Sequence, residues 1–286
     1  MHSAAPLIAR RKDHIAGALA WCCALLAAAP FVWLLVDVVT YGIGGLNLSF
    51  LTQSPEDAGR AGGISSVIIS TLLILGVCLF TAAPLGIATA VFLSECTPRK
   101  GWTGRVIRQS LDLLASVPSI VFGLFGMVFF SQVLNMGFSI LSGGLTLACM
   151  VLPILIRTTE AGLAGVSDEL RHGAAALGLS RVTTLRQLLL PAAMQGIIVG
   201  LILGIARALA ETAALIFTSG YVTRMPGSLL HSGRSLSVHI YDLAMNVPGG
   251  DGNAYATTLL LAGILLAINT VATLLSDVWL RKRAAP

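Results

Sequence analysis

The sequence predicts an all-α membrane protein with six transmembrane helices. Its 286 residues are 56% hydrophobic and only 11% charged, with a mean hydropathy of +0.86, whereas soluble domains carry about 25% charged residues. Six apolar runs are each long enough to cross a hydrocarbon core of about 30 Å, which takes about 20 helical residues. These runs are 15–39, 64–93, 111–130, 138–156, 192–217 and 254–280.

The first three runs are predicted to be helices, because a lone strand would leave backbone groups unpaired in lipid and the alternating pattern of a membrane barrel is absent. The run at 15–39 follows a basic stretch and resembles a secretory signal, but it is too long for a signal core. We therefore expect it to remain as the first helix. Pro84 in the second run and Pro118 in the third each predict a kink, since proline lacks a backbone N–H.

The last three runs are predicted to be helices on the same grounds. Pro153 predicts a kink in the fourth run. The fifth opens after Pro191, whose missing N–H costs nothing in the first turn of a helix, and it contains Arg207 and Glu211. With six spans, both ends of the chain lie on one side of the membrane.

The distribution of Lys and Arg predicts the orientation, because cytoplasmic loops carry an excess of both. One side has Arg10, Arg11, Lys12, Arg99, Lys100, Arg105, Arg108, Arg157, Arg171, Arg181, Arg186, Arg281, Lys282 and Arg283. The other side has only Arg60, Arg224 and Arg234. Both termini and the second and fourth loops are therefore predicted to be cytoplasmic. The net charge of +5 is scattered among these loops, so it indicates topology and no nucleic-acid partner.

The fourth loop, 158–190, has two amphipathic halves. Apolar residues recur at helical spacing in the first half, at Leu163, Val166, Leu170, Ala174 and Leu177. Gly178 interrupts the pattern, and it restarts at Leu179, Val182, Leu185 and Leu188. Two helices bent at a glycine would act as a lever on the adjoining spans, whereas a surface helix lying on lipid headgroups has the same periodicity. Spacing alone leaves both interpretations open.

The same loop resembles a motif of the ABC importer permeases. That motif reads Glu-Ala-Ala, three residues, Gly, nine residues, Ile, one residue, Leu-Pro. The matching residues here are His172, Gly173, Ala174, Gly178, Leu188, Leu190 and Pro191. The family's Glu is replaced by His172 and its first Ala by Gly173, while Glu169 lies one turn earlier. The resemblance implies that these residues couple the chain to a separate ATPase.

A wider resemblance extends from Gly62 to the C-terminus. Its segments are GGISSVIISTLL, PLGIATAVFLSE, SVPSIVFGLFG, VLPILIRTTE, ARALAETAALIFTSG and SLSVHIYDLA. In order and spacing they are similar to the PstA-type permeases of the phosphate-specific ABC importer. The resemblance implies the type I ABC importer permease fold, with a cytoplasmic coupling helix between helices 4 and 5. It also implies one permease domain over 1–286 with its importer core at about 62–280, located in the inner membrane.

The same resemblance implies the partners. They are a PstC-type permease, a PstB-type ATPase dimer, a PstS-type periplasmic phosphate-binding protein and inorganic phosphate, with no cofactor.

The sequence of this chain also indicates that ATP is hydrolysed by another subunit. A P-loop needs Lys followed by Ser or Thr, but Lys12, Lys100 and Lys282 precede Asp, Gly and Arg. The five histidines show no metal-ligand spacing, and we expect no enzymatic activity.

Arg207 is the strongest candidate for contact with an anion. It lies about 24 Å along the fifth run at 1.5 Å per residue, where a charge costs about 3 kcal/mol and is by default functional. A guanidinium fork suits a tetrahedral oxyanion. Glu211 is four residues later, the spacing of neighbours on one helical face, so a local ion pair is the structural alternative. The two roles are compatible, with Glu211 holding Arg207 when no substrate is present.

Arg157 ends the fourth run, where a basic residue is also typical of a membrane anchor. The resemblance implies that basic residues at the positions of Arg157 and Arg207 take part in phosphate passage. Chemistry alone does not distinguish tetrahedral oxyanions, so a sulfate or molybdate permease is the alternative. A stand-alone secondary transporter is a more distant one, because no inverted repeat is apparent.

Overall fold

The computed structural model describes residues 5–98 and 101–284, with side chains described for 16–98 and 101–274. The helices are α1 Ala5–Gly42, α2 Leu48–Thr52, α3 Ser65–Val91, α4 Trp102–Ser116, α5 Ser119–Gly126, α6 Ile140–Ala164, α7 Asp168–Ala176, α8 Arg181–Thr184, α9 Leu190–Ala192, α10 Met194–Ala210, α11 Ala213–Ile216, α12 Leu236–Met245 and α13 Asp251–Ala284. Wider π-helical turns extend α3 over Phe92–Cys96, extend α5 over Met127–Val133 and join α8 to α9 over Leu185–Leu189. A small antiparallel hairpin pairs β1 Pro55–Glu56 with β2 Ala61–Gly62.

Six membrane spans are confirmed when each of two bent helix pairs is counted as one span. Four spans are single helices, at Ala16–Gly42, Ser65–Cys96, Ile140–Ala164 and Asp251–Leu274. The other two are Trp102–Ser116 with Ser119–Val133, bent by 99°, and Arg181–Ala192 with Met194–Ala210, bent by 64°. The predicted all-α class is correct apart from the two-residue strands of the hairpin.

The third run is not the single helix that its composition predicts. It divides at Val117 and Pro118, both of which have extended ψ values, 129° and 143°. Proline disfavours the helical conformation of the residue before it, so the predicted kink is a complete break. Pro84 and Pro153, by contrast, lie inside the continuous helices α3 and α6.

The fifth run also differs from its prediction at both ends. Pro191 does not open the span, because it lies in α9 and the long helix begins at Met194, beyond the 64° bend. The helix then stops at Ala210, where Glu211 takes an extended ψ of 124°. The expected continuous helix to residue 217 is therefore replaced by α10 and the single turn of α11.

Helix α6 is the centre of the bundle and packs against α3, α10, α5 and α4. Its contact with α10 is unusually close because glycines line the crossing. A Cβ on Gly196 would lie 2.7 Å from Gly162 Cα, and one on Gly204 would lie 2.6 Å from Val151 Cγ1. A Cβ on Gly200 would collide with Thr158 Oγ1. Small residues of this kind allow helix backbones to approach one another within a membrane.

Three polar side chains in α12 and just before it are buried together; we call them the buried cluster and define it as Arg234, His239 and Asp242. Arg234 Nη1 lies 2.9 Å from Asp242 Oδ2, and Arg234 Nε donates to the carbonyl of Tyr221 at 2.8 Å. Arg234 Nη1 also donates to His239 Nδ1 at 3.3 Å, while the buried Nε2 has no partner among the described residues. The hairpin covers this histidine through Gly59.

The predicted orientation depends largely on basic residues that lie outside the described parts of the chain. Arg99 and Lys100 are not described, and the side chains of Arg10, Arg11, Lys12, Arg281, Lys282 and Arg283 are not described either. The placement of both termini on the cytoplasmic side stays a prediction.

Candidate functional site

Arg207 and Arg157, which are 50 residues apart in sequence, face the same cleft. Arg207 is exposed in the last turn of α10, and Arg157 is half-buried near the C-terminal end of α6. The cleft has a volume of about 300 Å³. Its remaining lining is apolar and comes from α4, α5 and α6, namely Leu114, Ala115, Phe122, Met150, Pro153 and Ile154. Two cationic groups therefore share a space whose other surfaces offer no charge.

The ion pair between Arg207 and Glu211, left open by the sequence as the structural alternative, is not formed among the described side chains. Within the described side chains Arg207 forms no ion pair. Glu211 is buried, and its Oε1 accepts a hydrogen bond from the Ala214 N–H at 3.2 Å, while its carbonyl accepts one from Ser237 Oγ at 2.5 Å. The helix ends at Ala210, so a spacing of four residues no longer places both side chains on one helical face. Glu211 instead accepts a hydrogen bond from a backbone N–H in the first turn of α11.

Arg157 belongs to a group of four charged side chains; we call it the open cluster and define it as Arg108, Asp112, Arg157 and Glu160. Arg157 Nη2 lies 2.5 Å from Asp112 Oδ1 and Nη1 lies 3.5 Å from Glu160 Oε2. Glu160 Oε1 in turn accepts from Arg108 Nε at 2.7 Å. These contacts join α4 to α6 beside the cleft. Arg157 is therefore held by ion pairs within the protein and not only by the membrane surface.

Sequence reasoning missed the other three members of the open cluster. A local signal existed on each helix, because Arg108 and Asp112 are four residues apart and Arg157 and Glu160 are three apart, which are spacings of neighbours on one face. The pairing between the two helices has no such signal, since 52 positions separate Arg108 from Glu160.

The loop that resembles the coupling motif contains the short helix α7, and this helix ends in a left-handed glycine. Gly178 has a φ of +66°. Its N–H donates to the carbonyl of Ala175 and the next N–H, that of Leu179, donates to Ala174, each at 3.0 Å. These are the two bonds of a Schellman motif, which favours glycine at this position. The bend predicted at Gly178 is confirmed.

The first amphipathic half is not one helix. Leu163 belongs to α6, and Ser167, with an extended ψ of 143°, separates α6 from α7. Of the motif residues, Glu169, His172, Gly173 and Gly178 are exposed, Ala174 is buried, and Leu188, Leu190 and Pro191 are half-buried. The exposed residues form a free face of α7, while the buried ones hold the segment on the bundle.

Arg171 anchors α7 to the bundle, and sequence reasoning did not identify it. Arg171 Nη2 lies 2.9 Å from Glu95 Oε1 at the end of the α3 span and donates to the Leu163 carbonyl at 2.8 Å. Arg171 Nη1 donates to the Val166 carbonyl at 2.6 Å. The hydrogen bond with Glu95 raises the pKa of Arg171 above its ordinary value, so the guanidinium stays charged. One side chain thus connects α7 with both α3 and α6.

Comparison with known proteins agrees with this architecture. Residues 82–284 match the family described as binding-protein-dependent transport system inner membrane component. The phosphate transport system permease protein PstA of Yersinia pestis is 36% identical over 266 residues, which are 92% of this chain and 89% of that protein. The phosphate transport system permease protein PstA 2 of Mycobacterium bovis is 33% identical over 282 residues, covering 96% and 91%. The probable ABC transporter permease protein YqgI of Bacillus subtilis is 30% identical, covering 96% and 98%.

Solved structures show the same fold at low sequence identity. A bacterial ABC transporter involved in the import of alginate superposes with a TM-score of 0.68 at 17% identity, over 96% of this chain and 99% of that one. The MetNI methionine ABC transporter, in an inward-facing conformation, gives a TM-score of 0.62 at 16% identity, over 76% and 95%. The predicted type I ABC importer permease fold is confirmed, and the chain belongs to the family of binding-protein-dependent transport system inner membrane components.

Proposed function

We propose that the chain is the transmembrane permease subunit of an ATP-driven phosphate importer of the inner membrane. In this proposal it forms the translocation path with a PstC-type permease and is driven by a separate PstB-type ATPase dimer. A PstS-type periplasmic protein delivers the phosphate. The substrate is supported by the names of the relatives that are 33% and 36% identical over more than nine-tenths of this chain.

The observation that carries the proposal is the cleft shared by Arg207 and Arg157. Each guanidinium can donate two hydrogen bonds to one tetrahedral oxyanion. The apolar lining lowers the local dielectric constant and so strengthens the attraction between the anion and these groups. Because Arg207 has no carboxylate partner among the described residues, it is free to receive an anion.

Coupling to the ATPase is proposed to occur at α7. Its exposed residues Glu169, His172 and Gly173 offer the contact surface, and the turn at Gly178 fixes the direction in which α8 leaves. A push on α7 would reach α3 and α6 through Arg171, which bonds to both. We further propose that 1–286 is a single permease domain, with its importer core at 62–280 and both termini in the cytoplasm.

The test is transport by the reconstituted complex with Arg207 changed. Co-expression with the three partners, reconstitution in vesicles and measurement of ATP-driven uptake of labelled phosphate, sulfate and molybdate would establish the substrate. We expect Arg207→Gln to assemble normally and to lower phosphate uptake by about a hundredfold, the effect of removing one preorganised donor to an oxyanion. The matched control is Arg224→Gln, since Arg224 is exposed outside the spans.

Two results would contradict the proposal. Near-normal uptake by the Arg207→Gln complex would remove Arg207 from the anion path. Uptake of sulfate or molybdate in preference to phosphate by the unmodified complex would assign another oxyanion.

A change of Glu211→Gln should reduce assembly rather than the rate per assembled complex, because Glu211 bonds to the start of α11 and not to Arg207.

A further inference from the structure

The two carboxylates that contact Arg157 differ in how they are held. Glu160 is on the same helix as Arg157, its side chain is 13% exposed, and it is also held by Arg108 at 2.7 Å. Asp112 comes from α4, its side chain is 66% exposed, and its only partner among the described residues is Arg157. An exposed carboxylate can leave its partner for water at little cost, whereas a largely buried one cannot. Asp112 is therefore the exchangeable partner.

The charge of the open cluster depends on where Asp112 lies. With Asp112 in contact, two arginines are balanced by two carboxylates. When Asp112 turns into water, one positive charge is left uncompensated at Arg157, facing the cleft that also contains Arg207. The N–H of Arg157 Nη2 that Asp112 leaves is then available to a phosphate oxygen, while Nη2 keeps its bond to the Arg108 carbonyl at 2.9 Å.

We propose that Asp112 competes with the transported anion for Arg157. The carboxylate occupies the guanidinium in the empty state, gives way when phosphate moves from Arg207 to Arg157, and returns to displace phosphate toward the exit. This proposal rests on the proposed function. Passage requires binding that is weak enough for release, and the Asp112 carboxylate is a suitable competitor because it accepts from Arg157 Nη2, a donor that a phosphate oxygen would also use.

The position of Asp112 also links release to a change in conformation. Glu160 moves with Arg157, because both are on α6, but Asp112 is on α4, beyond the 99° bend from Ser119–Val133. Leu111 and Ile107 pack α4 against α6 and the end of α3. Any shift of α4 along α6 changes the distance from Asp112 to Arg157 and leaves the distance to Glu160 unaltered. The strength of the competition therefore varies between transport states.

The structural alternative is that Asp112 and Arg157 form an ordinary surface ion pair. Such a pair contributes little to stability and has no effect on a ligand. The two roles give different results when the carboxylate is removed without changing its size. Asp112→Asn abolishes a competitor under our proposal, so phosphate affinity rises, whereas a surface pair predicts no change in affinity.

The experiment measures equilibrium binding of labelled inorganic phosphate to the purified permease–ATPase complex in lipid nanodiscs, without the periplasmic protein. We expect Asp112→Asn and Asp112→Ser each to bind phosphate about fivefold more tightly than the unmodified complex, equivalent to about 1 kcal/mol. Asp112→Glu, which keeps the carboxylate, should restore the original affinity. Adding Arg157→Gln to Asp112→Asn should abolish the gain. Maximal ATP-driven uptake should fall in Asp112→Asn, because release becomes slower.

The matched control is Asp168→Asn. Asp168 is 64% exposed and pairs with an arginine, Arg171, at 3.2 Å, but outside the cleft. Equal phosphate affinity in Asp112→Asn, Asp112→Ser and Asp168→Asn would overturn the competitor role while leaving the importer function intact. Failure of the proposed function would be recognised separately, by the absence of ATP-driven phosphate uptake in the unmodified complex.

Discussion

The open cluster and the buried cluster are built from the same chemistry but differ in access to water. Each contains an arginine within 3 Å of an aspartate, at 2.5 Å for Arg157 with Asp112 and 2.9 Å for Arg234 with Asp242. The side chains of the first pair are 34% and 66% exposed, those of the second 8% and 12%. A pair in water can exchange partners cheaply, while a pair away from water cannot lose one member without a large penalty. The distance alone does not tell a mobile contact from a fixed one.

The largest effect expected from this comparison is on stability when each pair is broken. Arg234→Met leaves Asp242 buried without its ion-pair partner, with only the hydrogen bond from Asn246 Nδ2 at 2.8 Å, and we expect a loss of about 3–5 kcal/mol. Asp112→Asn should cost about 1 kcal/mol or less, because its partner remains in contact with Glu160 and water. Thermal unfolding of the detergent-solubilised proteins measures both. Similar losses for the two variants would show that water access does not separate the clusters.

Two left-handed glycines extend the comparison to the backbone. Gly59, with a φ of +97°, lies against the buried cluster, and an added Cβ would be 2.5 Å from His239 Cε1. An added Cβ on Gly178, with a φ of +66°, meets nothing within 4 Å. Gly59→Ala combines overpacking with a strained backbone and should cost about 2–4 kcal/mol. Gly178→Ala carries only the backbone strain, about 1 kcal/mol.

The glycine comparison has a simple control. Gly178→Asn should be closer to the unmodified protein than Gly178→Ala, because asparagine adopts the left-handed conformation more readily. Unfolding measurements on all three variants, together with ATP-driven uptake for those at 178, separate stability from coupling. If Gly178→Ala were as damaging to stability as Gly59→Ala, Gly178 would have to be in close contact with other atoms, contrary to the open space seen around it.

Of the effects predicted for the buried cluster, the smallest is its acid sensitivity. Burial, together with the charge of Arg234, lowers the pKa of His239 from 6.5 to about 4. Asp242 is the only carboxylate that opposes this shift among the described groups. The unfolded chain therefore takes up a proton at a higher pH than the folded one, and stability falls as the pH drops from about 6.5 toward 4. At pH 5 the loss should be about 2 kcal/mol.

This prediction is checked by the dependence of thermal unfolding on pH between 7.5 and 5. His239→Gln keeps a polar side chain at this position but does not titrate, so its unfolding temperature should change less over the same range. An equal change in both proteins would assign the acid sensitivity to other groups.

Features that depend on residues close in sequence could be predicted. Features that depend on contacts between residues far apart in sequence could not. Six apolar runs were sufficient for the span count, because the bilayer thickness sets their length. Pro118 marked the position of the break, but no local pattern predicted its 99° angle or the packing of Leu111 between α4 and α6. The Arg207–Glu211 spacing misled, because α10 stops at Ala210 and no glycine or proline marks that end.

The candidate site shows the same division. Arg207 could be identified from its depth in an apolar run, and Gly178 from its place between two amphipathic segments. The contact of Arg171 with Glu95 crosses 76 positions, and the contact of Arg157 with Asp112 crosses 45. Such contacts arise from packing that brings two helices together. The sequence of one helix does not identify which residue of the other it will contact.

The glycine-lined crossing of α6 and α10 has a consequence for how the cleft can open. Arg157 is on α6 and Arg207 is on α10, and the two backbones touch at Gly162 and Gly196. Closely packed interiors resist continuous deformation, so we expect the spacing between α6 and α10 to change little during a transport step. The wall that carries both positive charges is therefore expected to stay rigid. In the opposite wall, α5 is held just as closely to α6, since a Cβ on Gly126 would collide with Thr146, so α4 is the part that we expect to move.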